Sequence, residues 1–183
     1  MKYFTKELWL GYNNKGPLDS KTAIELGQHN LQEYAAQLEQ LHPRLNRHTY
    51  RFFKKENLHD GRLLAFIAGD GVGHDVQGSQ RFDINARNAS VVIKVLGANL
   101  DLLYTLKYTE VKKVQFEFPS DEPLFYDEGD QIGDWGYDEL TAADDMYLRH
   151  EVLFASGSII LIEFKHFAYK KEPCEGSRYR GRI

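Results

Sequence analysis

His150-Glu151-Val152-Leu153-Phe154-Ala155-Ser156-Gly157-Ser158-Ile159-Ile160-Leu161-Ile162-Glu163-Phe164 sets two runs of β-branched and aromatic residues on either side of a Ser-Gly pair. That is the pattern of an antiparallel hairpin. A two-residue Ser156-Gly157 loop places His150 opposite Glu163, Val152 opposite Leu161 and Phe154 opposite Ile159. Similar runs occupy 63–67, 90–96, 100–109, 113–118, 146–154 and 158–169. Within 113–118, Val114, Phe116 and Phe118 alternate with Lys113, Gln115 and Glu117, which predicts a strand with one buried and one wet face. Gly97-Ala98-Asn99 suits a further hairpin loop. The connections are too short for crossover helices, so the sheet is expected to be antiparallel.

Upstream the period changes to that of a helix. Pro17, Asp19 and Ser20 form a turn and cap signal, after which Ile24, Leu31, Leu38 and Tyr34, Leu41 form an apolar stripe over about 20–41. Gly27 weakens that helix by about 1 kcal/mol relative to Ala, and Pro43 ends it. A second helix over about 45–55 buries Tyr50 and Phe52 or Phe53 and turns its basic residues outward. The expected architecture is therefore α+β: an N-terminal helical hairpin packed on a twisted antiparallel sheet of five to seven strands. One domain is expected over 1–172, helical at 18–56 and mainly β at 58–172, followed by a basic tail at 173–183. The glycine-rich 68–79 and the stretch 119–144 are expected to be loops.

The chain has 183 residues and a formal charge of −4, from 23 Lys plus Arg against 27 Asp plus Glu. A net acidic chain argues against a general nucleic-acid binder. The single cysteine, Cys174, forms no disulfide within the chain, and no apolar run approaches the length of a membrane helix. The expectation is a soluble, cytoplasmic protein with no nucleic-acid or membrane partner and no cofactor.

The net charge is unevenly spread. Residues 42–55 hold five basic and no acidic side chains, 119–145 hold ten acidic and no Lys or Arg, and 165–183 hold six basic and two acidic. Such blocks meet each other in the fold or face partners. The acidic stretch contains Trp135 and Tyr137 among Asp127, Glu128, Asp130, Asp134, Asp138 and Glu139. Aromatic anchors inside a charged rim are the composition of a protein-docking surface, here for a partner with a basic face.

Other patterns carry less. Gly69-Asp70-Gly71-Val72-Gly73 lacks the Lys-Ser or Lys-Thr and following helix of a phosphate loop. The acidic stretch fails as an EF-hand, since the sixth position is Ile132 counted from Asp127 and Trp135 counted from Asp130, where glycine is required. His59-Asp60 resembles one edge of a metal-dependent phosphohydrolase centre, but the other histidines have no ligand spacing. The pair is a candidate small-ligand or divalent-cation site, with a structural role at a helix-to-strand junction as the alternative. No Gly-x-Ser-x-Gly elbow occurs, and Glu172 and Glu175 beside Cys174 disfavour its thiolate. No catalytic residue and no metal ligand set is assigned.

Three segments carry a resemblance: Met1-Lys2-Tyr3-Phe4-Thr5-Lys6-Glu7-Leu8-Trp9, the junction Leu58-His59-Asp60-Gly61-Arg62, and the closing hairpin 150–157 with Ile162-Glu163-Phe164-Lys165. Together they resemble an uncharacterised group of bacterial proteins with a Tyr-Phe-Thr-x-Glu-Leu-Trp start, a Leu/Phe-His-Asp junction and a final hairpin. More loosely, the chain is similar to immunity proteins of bacterial toxin systems. The resemblance implies a non-enzymatic protein that acts by binding another protein, and brings no catalytic residues with it.

Overall fold

The computed structural model describes residues 1–70, 72–74, 80–82, 88–118 and 132–174, with 72–74 and 80–82 described by backbone alone. Three helices precede the sheet: α1 (Lys6–Tyr12), α2 (Ser20–Leu41) and, after a 3₁₀ turn at His42–Arg44, α3 (Arg47–Lys55). Each starts on a side-chain cap. Thr5 accepts from Leu8 N at 3.3 Å, Asp19 from Thr22 N at 3.0 Å, and Asn46 from Thr49 N at 2.9 Å. Caps of this kind are each worth about 1 kcal/mol. None of the described helices is long and apolar enough to cross a membrane.

The strands are β1 (Gly61–Asp70), β2 (Val72–His74), β3 (Gln80–Phe82), β4 (Ala89–Leu96), β5 (Leu102–Thr109), β6 (Lys113–Glu117), β7 (Asp134–Ala142), β8 (Leu148–Phe154), β9 (Ile159–Phe164) and β10 (His166–Pro173). β2 and β3 pair with each other. The other eight form one antiparallel sheet in the order β10-β5-β4-β1-β7-β8-β9-β6. The α+β expectation holds, with eight strands in the main sheet in place of five to seven.

That sheet curls back on itself. β5 and β6 are two arms of one bent strand, turned at Glu110 in the left-handed region (φ 51°). β9 and β10 are likewise two arms, separated by Lys165 alone. The bent strands pair along their length, Leu102↔Pro173 to Thr109↔His166 and then Lys113↔Glu163 to Glu117↔Ile159, with Lys112 N donating to Glu163 O across the corner at 2.8 Å. Strands that switch sheets at a bend are how two sheets join at a corner. The resulting ring runs β1, β4, β5/β6, β9/β10, β8, β7. Its narrowest seam is between β7 and β1, where only Gly61↔Trp135 and Arg62↔Asp134 pair.

The core lies inside this ring. Val91, Ile93, Val95, Leu106 and Tyr108 from one half meet Leu140, Val152, Phe154, Ile160, Ile162 and Phe164 from the other. Helices close the open side, inserting Leu38, Leu41, Phe52 and Phe53 into the same cluster. Burying each such side chain contributes roughly 1.5–3 kcal/mol.

Several expectations are corrected. The closing hairpin turns through three residues, Ala155-Ser156-Gly157, with Gly157 at φ 86°, Gly157 N bonded to Phe154 O at 2.8 Å and Phe154 N to Ser158 O at 3.0 Å. A three-residue loop that ends on a left-handed glycine is a common alternative to the two-residue loop. It moves the register by one, so Arg149 faces Glu163 and His150 faces Ile162. The run at 158–169 is broken into β9 and β10. The loop expected over 119–144 contains β7 from Asp134 onward, while 119–131 and the tail from 175 lie outside the described residues. Of the loop expected over 68–79, residues 68–70 complete β1 and 72–74 form β2, and 71 and 75–79 lie outside the described residues.

On α2 the buried residues are Ala23, Gly27, Tyr34, Leu38 and Leu41, and Ile24 and Leu31 are exposed. α1, absent from the sequence reading, is the reason. Its Gly11 fits against Ala23, where an added Cβ would meet the Ala23 Cβ at 2.7 Å, and Tyr12 lies over Gly27. Small residues therefore mark the contact between the helices. In β6 Val114 is exposed and Phe116 half-buried, and Phe118 just beyond the strand is exposed, so the expected dry face is only partly covered.

Candidate functional site

Once β7 leaves β1 after Trp135, one edge of β7 has no neighbouring strand, and side chains take over its backbone groups. The register shifts at Gly136. That position has no space for a side chain: a Cβ would lie 2.3 Å from the Trp9 ring and 2.8 Å from Leu153 O. His59 Nδ1 donates to Gly136 O, and Leu140 N donates to the Tyr34 hydroxyl at 3.0 Å. Asp138 lies two residues before Leu140 on the same strand, so its N–H and C=O turn to the same edge.

A cleft of about 390 Å³ opens along this edge, between β7 and the helices. Its volume falls within the range typical of small-molecule sites, roughly 300–1,000 Å³. The walls are aromatic. Phe4 stacks on Tyr137 with centroids 5.7 Å apart at 18°, and meets Tyr34 edge-on at 5.3 Å. Tyr137 is braced from behind by Trp9 at 5.3 Å and flanked by His59 at 5.1 Å. Burial pushes the Tyr137 hydroxyl above its ordinary pKa, helped by the charge of Asp60. Phe53 closes the inner end, and Leu31, 58% exposed, forms part of the rim. The polar lining is His59, Asp138, Glu56 and Asn57, with no lysine or arginine.

The two acidic groups differ in their surroundings. Glu56 is bonded to Lys171 Nζ at 2.9 and 3.0 Å and accepts from the Tyr104 and Tyr169 hydroxyls at 3.3 Å, so a cation offsets its charge. Asp138 accepts from Trp135 Nε1 at 2.9 Å and from His150 Nε2 at 3.2 Å. His150 is fully buried, and its Nδ1 lies 2.7 Å from the Tyr108 hydroxyl. Burial and the Asp138 charge hold the Tyr108 pKa well above its ordinary value, so the phenol keeps its proton. The chain Tyr108–His150–Asp138–Trp135 thus holds the Asp138 carboxylate in place from the buried side.

His59 lies in the cleft as a candidate residue, together with Tyr137 and Asp138 from the acidic stretch. Asp60 is beside it and outside the lining. It occupies the Leu58–Gly61 turn at φ 60°, donates its N–H to Trp135 O at 2.8 Å, and holds an exposed carboxylate 3.5 Å from His59 Nε2. Asp134 opens β7 opposite Arg62. Trp135 and Glu139 are wholly buried, so neither is available as a surface anchor. Glu139 instead accepts from the backbone N–H of Lys2, of Tyr3 at 2.8 Å and of Phe4 at 3.3 Å, and thereby positions the Phe4 wall. Asp127, Glu128 and Asp130 lie outside the described residues.

Phe4, Tyr34, Phe53 and Glu56 carry no site signal in the sequence, and the pairing of His150 with Glu163 expected there is replaced by its contact with Asp138. Tyr34 stood out only as part of the α2 stripe, and no local signal links Phe4 or His150 to Asp138. Among the described residues, no group of three or more His, Cys, Asp or Glu is arranged to hold a metal ion. No family model matches the sequence, and neither the curated proteins nor the solved structures yield a match.

Proposed function

We propose that this protein binds a small molecule in the cleft between β7 and the helices, and that it does so without catalysing a reaction. The observation that carries this reading is the convergence of His59, Tyr137 and Asp138 with three further aromatic rings around one cavity of about 390 Å³. Aromatic walls with a few fixed polar groups are the usual composition of a ligand site. The rival reading, an acidic surface that docks a basic protein such as a toxin, loses Trp135 and Glu139 to the interior.

The test is protein-observed NMR with phenethylamine, phenethyl alcohol and phenylacetate as separate probes. Binding of any of them should shift the ring signals of His59 and Tyr137. Leu31→Trp, an exposed substitution at the rim, should reduce those shifts at least several-fold. If none of the probes moves either ring, the ligand-binding reading fails.

A further inference from the structure

Resting on that reading, we infer that the ligand is an organic monocation, an ammonium or amidinium group on a flat apolar body, with its charge held by Asp138. Charge balance is the first reason. The Asp138 carboxylate has about four acceptor sites, of which Trp135 and His150 take two. No lysine or arginine lines the cleft, and the other carboxylate, Glu56, is already offset by Lys171. Asp138 is therefore the lining carboxylate that has no lysine or arginine beside it in the cleft. A partly desolvated carboxylate favours a cationic ligand and repels an anionic one.

The second reason is independent of Asp138. Phe4, Tyr34 and Tyr137 line the same cavity, and aromatic rings attract cations, most strongly where water is displaced. A carboxylate at the floor with aromatic walls serves both ends of an arylalkylammonium ion.

Third, the carboxylate is fixed before any ligand arrives. Trp135 and His150 lie at 0 and 1% exposure, so the donors that orient it cannot swing away. Little side-chain entropy remains to be lost when a cation docks, which favours binding of even a small ion. The Asp138 N–H and C=O on the same edge add one donor and one acceptor, suited to a ligand that carries a second polar group.

The experiment compares phenethylamine, phenethyl alcohol and phenylacetate at pH 7 and low salt by calorimetry on the full chain. The amine should bind at least tenfold more tightly than the alcohol, and the acid should show no binding. Added salt should weaken the amine and leave the alcohol unchanged. Asp138→Asn should remove the tenfold preference for the amine over the alcohol. If the alcohol or the acid matches the amine in the unaltered protein, the cation inference is overturned and the ligand cleft stands. If no probe binds, both fall. Should Asp138→Asn fail to fold, the three-probe comparison and its salt dependence decide the matter alone.

Discussion

His150 Nε2 lies 3.2 Å from Asp138 Oδ2, a contact between adjacent strands β8 and β7 that joins the protein interior to the cleft. On the far side of the ring the Tyr108 hydroxyl meets Nδ1 at 2.7 Å, so three side chains from three strands share one proton arrangement. A buried polar chain of this kind is stabilising only when every member is satisfied.

Tyr108→Phe removes the partner of His150 Nδ1 without changing the volume of the ring. The orphaned nitrogen should cost about 1–3 kcal/mol of stability, read from the urea midpoint. A variant with the urea midpoint of the unaltered protein would show that this contact contributes nothing to stability.

Glu139→Gln replaces a carboxylate that accepts three backbone amides with a group offering one acceptor and an unwanted donor. The expected loss is about 1–3 kcal/mol, together with faster hydrogen exchange at Tyr3 and Phe4. Because Phe4 forms a wall of the cleft, any probe affinity should fall as well. Unchanged exchange at both amides would argue against this role.

Gly136→Ala drives a methyl group into the Trp9 ring and the Leu153 carbonyl. Overpacking at a site with backbone on one side should cost about 1–3 kcal/mol. The displaced Trp9 should also release Tyr137, broadening or shifting its ring signals. A variant with wild-type stability and an unmoved Tyr137 would show that the strand can yield locally.

Asp144 provides the pH dependence. Its bond to Lys112 Nζ at 2.8 Å, and then the amides of Met146 and Tyr147 at 2.8 Å, hold its carboxyl at about 2 against an ordinary 3.8. A lowered native pKa means that its stabilisation is complete above the unfolded value and is lost as pH falls. Asp144→Asn should therefore be less stable than the unaltered chain at neutral pH, with the gap closing between about pH 4 and pH 2. A gap that persists at pH 2 would refute the assignment.

Local pattern carried much of the architecture. The cap signal at Asp19, the stop at Pro43 and the alternation of apolar residues point to two helices and an antiparallel sheet, because capping and strand periodicity depend on neighbours in the chain. Three features were hidden. α1 was missed because its contact with α2 is made by Gly11, Ala23 and Gly27, residues that carry little hydrophobic signal. β7 lacks an apolar run because Asp134, Asp138 and Glu139 interrupt it, although Trp135, Leu140 and even Glu139 are buried. The closing hairpin slipped by one residue because Ser156-Gly157 suits a two-residue loop as well as the end of a three-residue one.

The site divides in the same way. The sequence alone singled out His59, Tyr137 and Asp138 as residues of interest, from a His-Asp junction and a charge block with embedded aromatics. Only the tertiary structure decided that they face one cleft, that Trp135 and Glu139 lie inside, and that Asp138 is held by His150. Those outcomes depend on where β7 parts from β1 and on a one-residue register in the β8–β9 hairpin. Since paired residues point to the same face, a single step decides whether His150 shares its face with Ile162 or with Glu163, and Ser156-Gly157 is compatible with both registers.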